Sequence, residues 1–405
     1  MMRLFINALA ASAGGGLTYI RNVLPHLSAR DDVKVSVALS SDLSREFCSY
    51  RQIEFLEMNG TASRRFLYEQ STLPKMIRNA KADVLLSTGN FAIRRSPVPQ
   101  ILLSRNSIYL SPDYYHDLLA RKEYHTWIET RLRAMFARKS IQWADVTVAP
   151  SEAFAADLAR WTESRVLSVH HGFDYEEFTR DTSPLPAGVS EKLFACEGSL
   201  KILFVSHYNY YRNFETLIRA LPMLRDRITD RPVTLLLTCS LAPGKNPGAY
   251  RTEYASKLVK GLGIAEMIVE LGSIPYRQLH NVYRRADVYV SPAYTETFAH
   301  PLVEAMASGI PIVASDIPVH HEICGEAGVY FPRFVADDLA QTVAQVLSSP
   351  ETARRMADAG RQRSQQFSWN SHVERILELC QTLAGPGVDT SAAGSRPRRE
   401  LTGLA

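Results

Sequence analysis

The chain has 405 residues, of which 46% are hydrophobic and 22% charged, a mix that favours two globular domains with sizeable cores. Its formal net charge of +4 is too small to indicate a nucleic-acid binder, but it suits a protein that handles anionic nucleotides or touches an anionic membrane. The cysteines Cys48, Cys196, Cys239, Cys324 and Cys380 are scattered, odd in number and without a Cys-x-x-Cys pair, as expected of reduced thiols. No window approaches the roughly 20 apolar residues of a membrane span. Met1 to Asn7 has no signal-peptide shape, so a cytoplasmic protein is expected, with the inner face of the membrane left open as its location.

The chain opens with an apolar run, Arg3 to Asn7, then a small-residue stretch ending in Gly14, Gly15 and Gly16. An apolar stripe follows, formed by Leu17, Ile20, Val23, Leu24 and Leu27. This predicts a strand, a glycine-rich loop and a helix, in which the loop backbone and the free N–H groups of the helix can approach a ligand. The glycines match neither a dinucleotide fingerprint nor a P-loop, and a plain flexible turn fits them equally well. Further short apolar runs at Val33 to Leu39, Ile53 to Leu56, Asp83 to Ser87 and Gln100 to Ser104 alternate with helical stretches, notably 64–80. Strands alternating with helices imply a parallel sheet covered on both faces, with ligands at the carboxyl ends of the strands. Arg105 and Asn106 fall just past one such end; the Asn106 amide can bond a hydroxyl or simply shape the loop.

Residues 112–143 read as one or two helices rich in Arg and Lys, with Trp127, Leu132, Met135, Phe136 and Trp143 among them. Two readings compete, and the first is favoured: a core-packing helix with a solvated basic face, or a basic amphipathic helix against an anionic membrane. Ala144 to Ser151, a helix over 152–161 and Arg165 to Val169 continue the alternation up to His170-His-Gly-Phe-Asp174. Residues 179–199, rich in Pro, Ser, Thr and Gly, read as a linker. A second strand–loop–helix series then begins at Leu200, its first loop carrying His207 and Arg212. A surface-charge reading of Arg212 is disfavoured, because a cation does not stabilise a helix N-terminus. Strands follow at Val233 to Thr238 and Met267 to Leu271, the latter leading to Ile274 and Tyr276.

The densest signal is Glu296-Thr-Phe-Ala-His-Pro-Leu-Val-Glu304, running on to Gly309. Pro301 suits the first turn of a helix and Gly309 its end, which places Glu296 on a loop and Glu304 on the first turn. With Ala286 to Thr295 before it and Ile310 to Phe331 after it, this block resembles the C-terminal half of family 4 glycosyltransferases, retaining enzymes of GT-B fold. The resemblance extends in outline over residues 1–380 and is specific from Lys201 to Phe331. It implies an α/β architecture of two Rossmann-like domains whose parallel sheets face an interdomain cleft. It also implies roles: Glu304 as a ribose ligand, Glu296 near the anomeric carbon of the donor sugar, Arg212 and His207 on the diphosphate, and Phe298, Ala299 and His300 offering backbone N–H groups to the sugar. Ile274 or Tyr276 would border the base, Gly15 and Gly16 the diphosphate and acceptor, and Asn106 would stand where the family usually has a histidine.

These implications make the chain a glycosyltransferase that moves a sugar from a nucleotide-diphosphate sugar to a saccharide or lipid-linked acceptor in cell-surface polysaccharide or glycolipid assembly. The nucleotide sugar is a co-substrate; no cofactor, metal or nucleic-acid partner is expected, peripheral membrane contact is open, and so is the oligomeric state. The alternatives are a non-catalytic or an epimerase- or phosphorylase-type GT-B protein that binds a nucleotide sugar. The expected division is an acceptor-side domain over 1–178, completed by a crossover helix near 368–383. The linker 179–199 follows, then a nucleotide-sugar domain over 200–367. The tail 385–405 has no core-forming pattern and is expected to be disordered.

Overall fold

The structure, a computed structural model, describes residues 1–11, 14–58, 62–245 and 250–385. The chain divides into two compact units. The first comprises Met1–Leu110, Tyr124–Gly172 and the segment from Trp369 onward, and the second Ser111–Glu123 and Phe173–Ser368.

In the first unit seven parallel strands lie in the order β3-β2-β1-β4-β5-β6-β7. They are β1 (Met2–Asn7), β2 (Val33–Leu39), β3 (Ile53–Glu57), β4 (Val84–Ser87), β5 (Gln100–Leu103), β6 (Val146–Ala149) and β7 (Val166–Ser168). β1 is central, and Leu4, Phe5 and Ile6 are fully buried, as a strand covered on both faces requires. The helix Gly14–Ser28 buries Tyr19, Ile20, Val23, Leu24 and Leu27, the stripe set by its 3.6-residue period. The last described helix, Trp369–Ala384, adds Trp369, Val373, Ile376, Leu377, Cys380 and Leu383 to that same core. Each such side chain contributes on the order of 1.5–3 kcal/mol.

In the second unit six parallel strands lie in the order β10-β9-β8-β11-β12-β13. They are β8 (Leu200–Phe204), β9 (Val233–Leu237), β10 (Ile268–Glu270), β11 (Val288–Ser291), β12 (Ile312–Ser315) and β13 (Gly328–Phe331). In both sheets the order reverses beside the first strand, at β1/β4 and at β8/β11. A crevice opens at such a reversal because the two neighbouring connections leave to opposite faces.

Several local expectations are corrected. The stretch 64–80 is two helices, Ala62–Ser71 and Leu73–Asn79, because Pro74 lacks the N–H that a continuous helix would need. Of the one or two helices expected over 112–143 the structure has two, Pro112–Ala120 and Tyr124–Trp143, separated at Lys122, whose φ of 59° is left-handed. The first of them packs with the second unit although its neighbours in sequence belong to the first. The expected linker 179–199 contains a helix, Ala187–Ala195, that buries Val189 and Leu193. These two apolar residues four apart outweigh the Pro- and Gly-rich flanks. The expectation of disorder for the tail falls, from residue 386 onward, outside the described residues.

Gly172 is where the first unit is tightest. A Cβ there would stand 2.1 Å from the Trp369 nitrogen and 2.2 Å from its Cα. Backbone cannot retreat as a side-chain tip can, so Gly172→Ala is expected to destabilise by about 1–3 kcal/mol or more. Differential scanning calorimetry checks this, and an unchanged Tm would contradict the close approach.

Candidate functional site

The reversal at β8/β11 brings two loops together. The loop after β8 ends in a short 3-10 turn, Tyr210–Arg212, followed by Asn213 at φ 56°. The Asn213 amide donates to the Pro292 carbonyl at 3.0 Å, and the Tyr294 N–H donates to the Tyr211 carbonyl at 3.1 Å. Thus the β8 loop and the loop after β11 are stitched side to side. At the seam the Arg212 guanidinium donates from Nη1 to Glu296 Oε1. Both side chains are largely buried, at 18% and 8% exposure. Arg212 Nε is buried with no hydrogen-bond partner among the described residues. The guanidinium is therefore paired on one edge and unsatisfied on another, a state that favours an incoming anion.

The helix after Glu296 is His300–Ser308, capped at its start by Ala299 in the left-handed region (φ 63°) and at its end by Gly309 (φ 65°). A left-handed alanine costs about 1–2 kcal/mol, and it turns the backbone sharply at the point where the loop becomes helix. Because that turn starts the helix at His300, Glu304 is its fifth residue and lies in the second turn, not the first as expected. Its carboxylate is buried and accepts a hydrogen bond from the Tyr283 hydroxyl at 2.9 Å. Burial pushes the Glu304 carboxyl up to about 7, against the opposing effects of the Tyr283 hydrogen bond and the Arg212 charge.

The other expected donor-side residues lie on the same unit. His207 is exposed on the β8 loop, and Ile274 is half-buried in the loop after β10. The Phe298 ring is buried against His300 and Phe367, with centroids 4.8 and 5.3 Å away, so only its backbone is placed to meet a ligand. His300 is the first helical residue.

His320 was not singled out in the sequence. It is fully buried, and burial, with the Arg212 charge adding to it, pushes its imidazole down to about 3. Its Nδ1 lies 2.9 Å from the Ser315 carbonyl, which accepts only from N–H. The ring is thus neutral, and Nε2 is an acceptor without a partner among the described residues. The signal available was its place just beyond the carboxyl end of β12.

Asn106, Gly15 and Gly16 belong to the first unit. Gly14, with φ +57°, is the position that needs glycine; a Cβ on Gly15 would meet nothing, and one on Gly16 would come within 3.3 Å of Ala11 Cα. Asn106 is half-buried and opens the 3-10 turn Ser107–Tyr109. Its neighbour Arg105 dominates this region. Arg105 donates to the Gly15 carbonyl at 2.7 Å and the Thr88 carbonyl at 2.6 Å, and lies 4.9 Å over the Tyr19 ring. Burial pushes its guanidinium down to about 10, and it has no carboxylate partner among the described residues. Of the two residues the sequence marks past the end of β5, it is Arg105, not the candidate Asn106, that holds the glycine-rich loop. His171 is packed among Tyr19, Trp369 and His372, as part of the core.

No group of three or more His, Cys, Asp or Glu side chains is placed to hold a metal among the described residues. No helix among them is long and apolar enough to cross a membrane.

Two family models match in tandem: Glycosyltransferase Family 4 over residues 13–177 and Glycosyl transferases group 1 over residues 189–363. The chain belongs to the family 4 glycosyltransferases. Its relatives include a D-inositol 3-phosphate glycosyltransferase from Corynebacterium aurimucosum, 27% identical over 276 residues, which cover 65% of this chain and 64% of that protein. The match thus spans just under two thirds of that relative's length. A MMP alpha-(1->4)-mannosyltransferase from Mycolicibacterium hassiacum is 33% identical over 204 residues, 48% of this chain and 47% of that protein. Among solved structures, sucrose-phosphate synthase from Thermosynechococcus elongatus superposes with a TM-score of 0.71 at 19% identity, covering 95% of this chain and 99% of the other. Anabaena HepE in complex with UDP gives 0.68 at 18% identity, covering 95% and 100%. These likenesses establish the GT-B fold for this family 4 member.

Proposed function

We propose that this chain is a retaining glycosyltransferase that moves a sugar from a nucleotide-diphosphate sugar to a saccharide or lipid-linked acceptor. The observation that carries the reading is the Arg212–Glu296 contact at the strand-order reversal, with Glu304 on the helix that follows. A diphosphate competes with Glu296 for Arg212. Once Arg212 turns to the diphosphate, Glu296 is released to face the positive charge that develops at the anomeric carbon. The bond from that carbon to the diphosphate oxygen breaks, and the acceptor hydroxyl oxygen bonds the carbon on the same face. The hydroxyl proton leaves with the diphosphate. Arg212 and the loop N–H groups near Ala299 offset the charge of the leaving group. Glu304 accepts hydrogen bonds from the ribose hydroxyls, and His320 Nε2 offers a further acceptor at the same end of the sheet.

UDP and UDP-glucose are the first donors to try, since they occupy the HepE structures. The relative named for D-inositol 3-phosphate makes phosphorylated polyols the first acceptors to try, and the one named for mannosyl transfer adds a mannosyl donor to the panel.

A separate observation favours a lipid-linked acceptor and contact with the membrane surface. The helix Tyr124–Trp143 buries Thr130, Ala134, Ala137, Ser140 and Ile141, mostly small or polar residues. It turns Tyr124, Ile128, Leu132, Met135 and Phe136 outward, each at 42% to 58% exposure. A helix that only served a core would reverse this arrangement. Arg131, Arg138 and Lys139 are exposed along the same outer surface. An apolar stripe bordered by cations matches an anionic lipid surface.

Arg212→Ala and Glu296→Ala are each expected to lower turnover by about two orders of magnitude, the usual cost of losing such stabilisation. Nucleotide release over a donor panel measures this, and near-normal rates would count against both roles. Nucleotide affinity should weaken as pH falls through about 7, because the protonated Glu304 carboxyl is the poorer acceptor. Isothermal titration with UDP should show this slope in the wild type and lose it in Glu304→Gln. Sedimentation with phosphatidylglycerol vesicles should capture the wild type at low salt and lose it at high salt. Replacing Ile128, Leu132 and Met135 by Gln should abolish capture; equal binding of the variant would rule out the helix as the contact.

A further inference from the structure

The helix Pro112–Ala120 and the three residues after it are built into the second unit by a charged, mostly buried network. Asp117 accepts from Arg121 Nε at 2.7 Å and from the Tyr294 hydroxyl at 3.1 Å. Arg121 Nη1 donates to Glu215 at 3.0 Å, and Glu215 also accepts from the Tyr208 hydroxyl at 2.6 Å. The Arg121 guanidinium lies 4.2 Å over the Tyr210 ring, whose hydroxyl donates to Glu123 at 3.0 Å. Two further ties flank it: Asp113 with Arg333 at 2.9 Å, and the Tyr114 and Tyr250 hydroxyls 3.0 Å apart.

The targets of these bonds are not scattered. Tyr208 and Tyr210 belong to the loop that carries Arg212, and Tyr294 stands two residues before Glu296. Among the described residues Arg121 is the one cation that pairs with both Asp117 and Glu215, and it is only 13% exposed. Taking it away would leave two carboxylates facing each other in a poorly solvated place, so one would have to take up a proton or move. Either response shifts a loop that bears half of the Arg212–Glu296 pair.

We propose that Arg121 is a positioning residue for sugar transfer: through Asp117 and Tyr294 on one side, and through Glu215 and Tyr210 on the other, it sets the two loops so that Arg212 and Glu296 meet. The role in transfer rests on the functional reading above; the positioning does not. It sets apart a residue in the first half of the sequence, far from the Glu296–Glu304 block, as a determinant of that block's geometry.

The test uses Arg121→Met, Arg121→Lys and Tyr294→Phe in the full chain. With UDP-glucose, or the donor the panel selects, Arg121→Met should lower kcat by about 10- to 100-fold, as a displacement near 1 Å does. Arg121→Lys keeps the charge but loses the planar fork, so its loss should be smaller. In a double-mutant cycle Arg121→Met should cost less than about threefold once Arg212→Ala is present, because both act on one geometry. Effects that multiply would overturn the proposal. A second readout does not need turnover: the Nε–H resonance of Arg212, assigned with Arg212→Lys, should move in Arg121→Lys and in Tyr294→Phe. Tyr294→Phe removes one hydroxyl and keeps the ring, so it serves even where Arg121→Met fails to fold. An unmoved Arg212 resonance in both milder variants overturns the proposal. If the resonance moves while no donor is turned over by the wild type, positioning stands and the transferase reading falls.

Discussion

The constraint on which the second unit depends is the meeting of Arg212 and Glu296 where its sheet changes direction. A single ion pair at a surface contributes little to stability, but this one is mostly out of water, where a charge without a partner is expensive. Its members come from two loops that leave adjacent parallel strands toward opposite faces of the sheet. Nothing in the strands themselves forces these loops together. Backbone and amide bonds between Tyr294 and Tyr211, and between Asn213 and Pro292, bring them into contact. The positive φ of Asn213 then directs the Arg212 turn. The pair is held ready by the loops, yet the unsatisfied Nε edge of Arg212 leaves it able to exchange its partner.

Periodicity exposed the strands because parallel strands buried on both faces are short unbroken apolar runs, as at Leu4 to Ile6 and Ile202 to Phe204. The Glu296–Glu304 block was legible because Pro301 and Gly309 mark the bounds of a helix chemically. What periodicity does not carry is which part of the fold an element joins. The helix Pro112–Ala120 reads the same whichever core receives it, and its partners Glu215, Tyr294 and Arg333 lie some 100 to 220 residues away. Glu304 falls one helical position later than expected, at the start of the second turn, because the left-handed Ala299, a residue seldom found in that conformation, starts the helix one residue ahead of the proline. His320 escaped notice, and Arg105 was named without a role, for a related reason. Their meaning lies in burial and in which backbone groups they reach, Ser315 for His320 and Gly15 and Thr88 for Arg105, and a sequence does not record either.

The Tyr124–Trp143 helix illustrates a further limit. Apolar residues on both of its faces cancel in any average of amphipathicity, so the sequence favours the core-packing reading over the membrane one. Only the observed burial distinguishes the face with Ala134 and Ala137 from the face with Ile128 and Leu132.

The chain passes between its two units four times, after Leu110, Glu123, Gly172 and Ser368. Neither half is therefore a contiguous piece of gene. A fragment stopping at residue 172 would lack the closing helix that fills its core with Trp369, Ile376 and Leu383. A fragment running from 173 to 368 would keep Glu215 and lose the arginine that neutralises it. Recombination that exchanged simple halves with a relative would have to carry two small outlying segments along with them, which favours inheritance of the two lobes as one block.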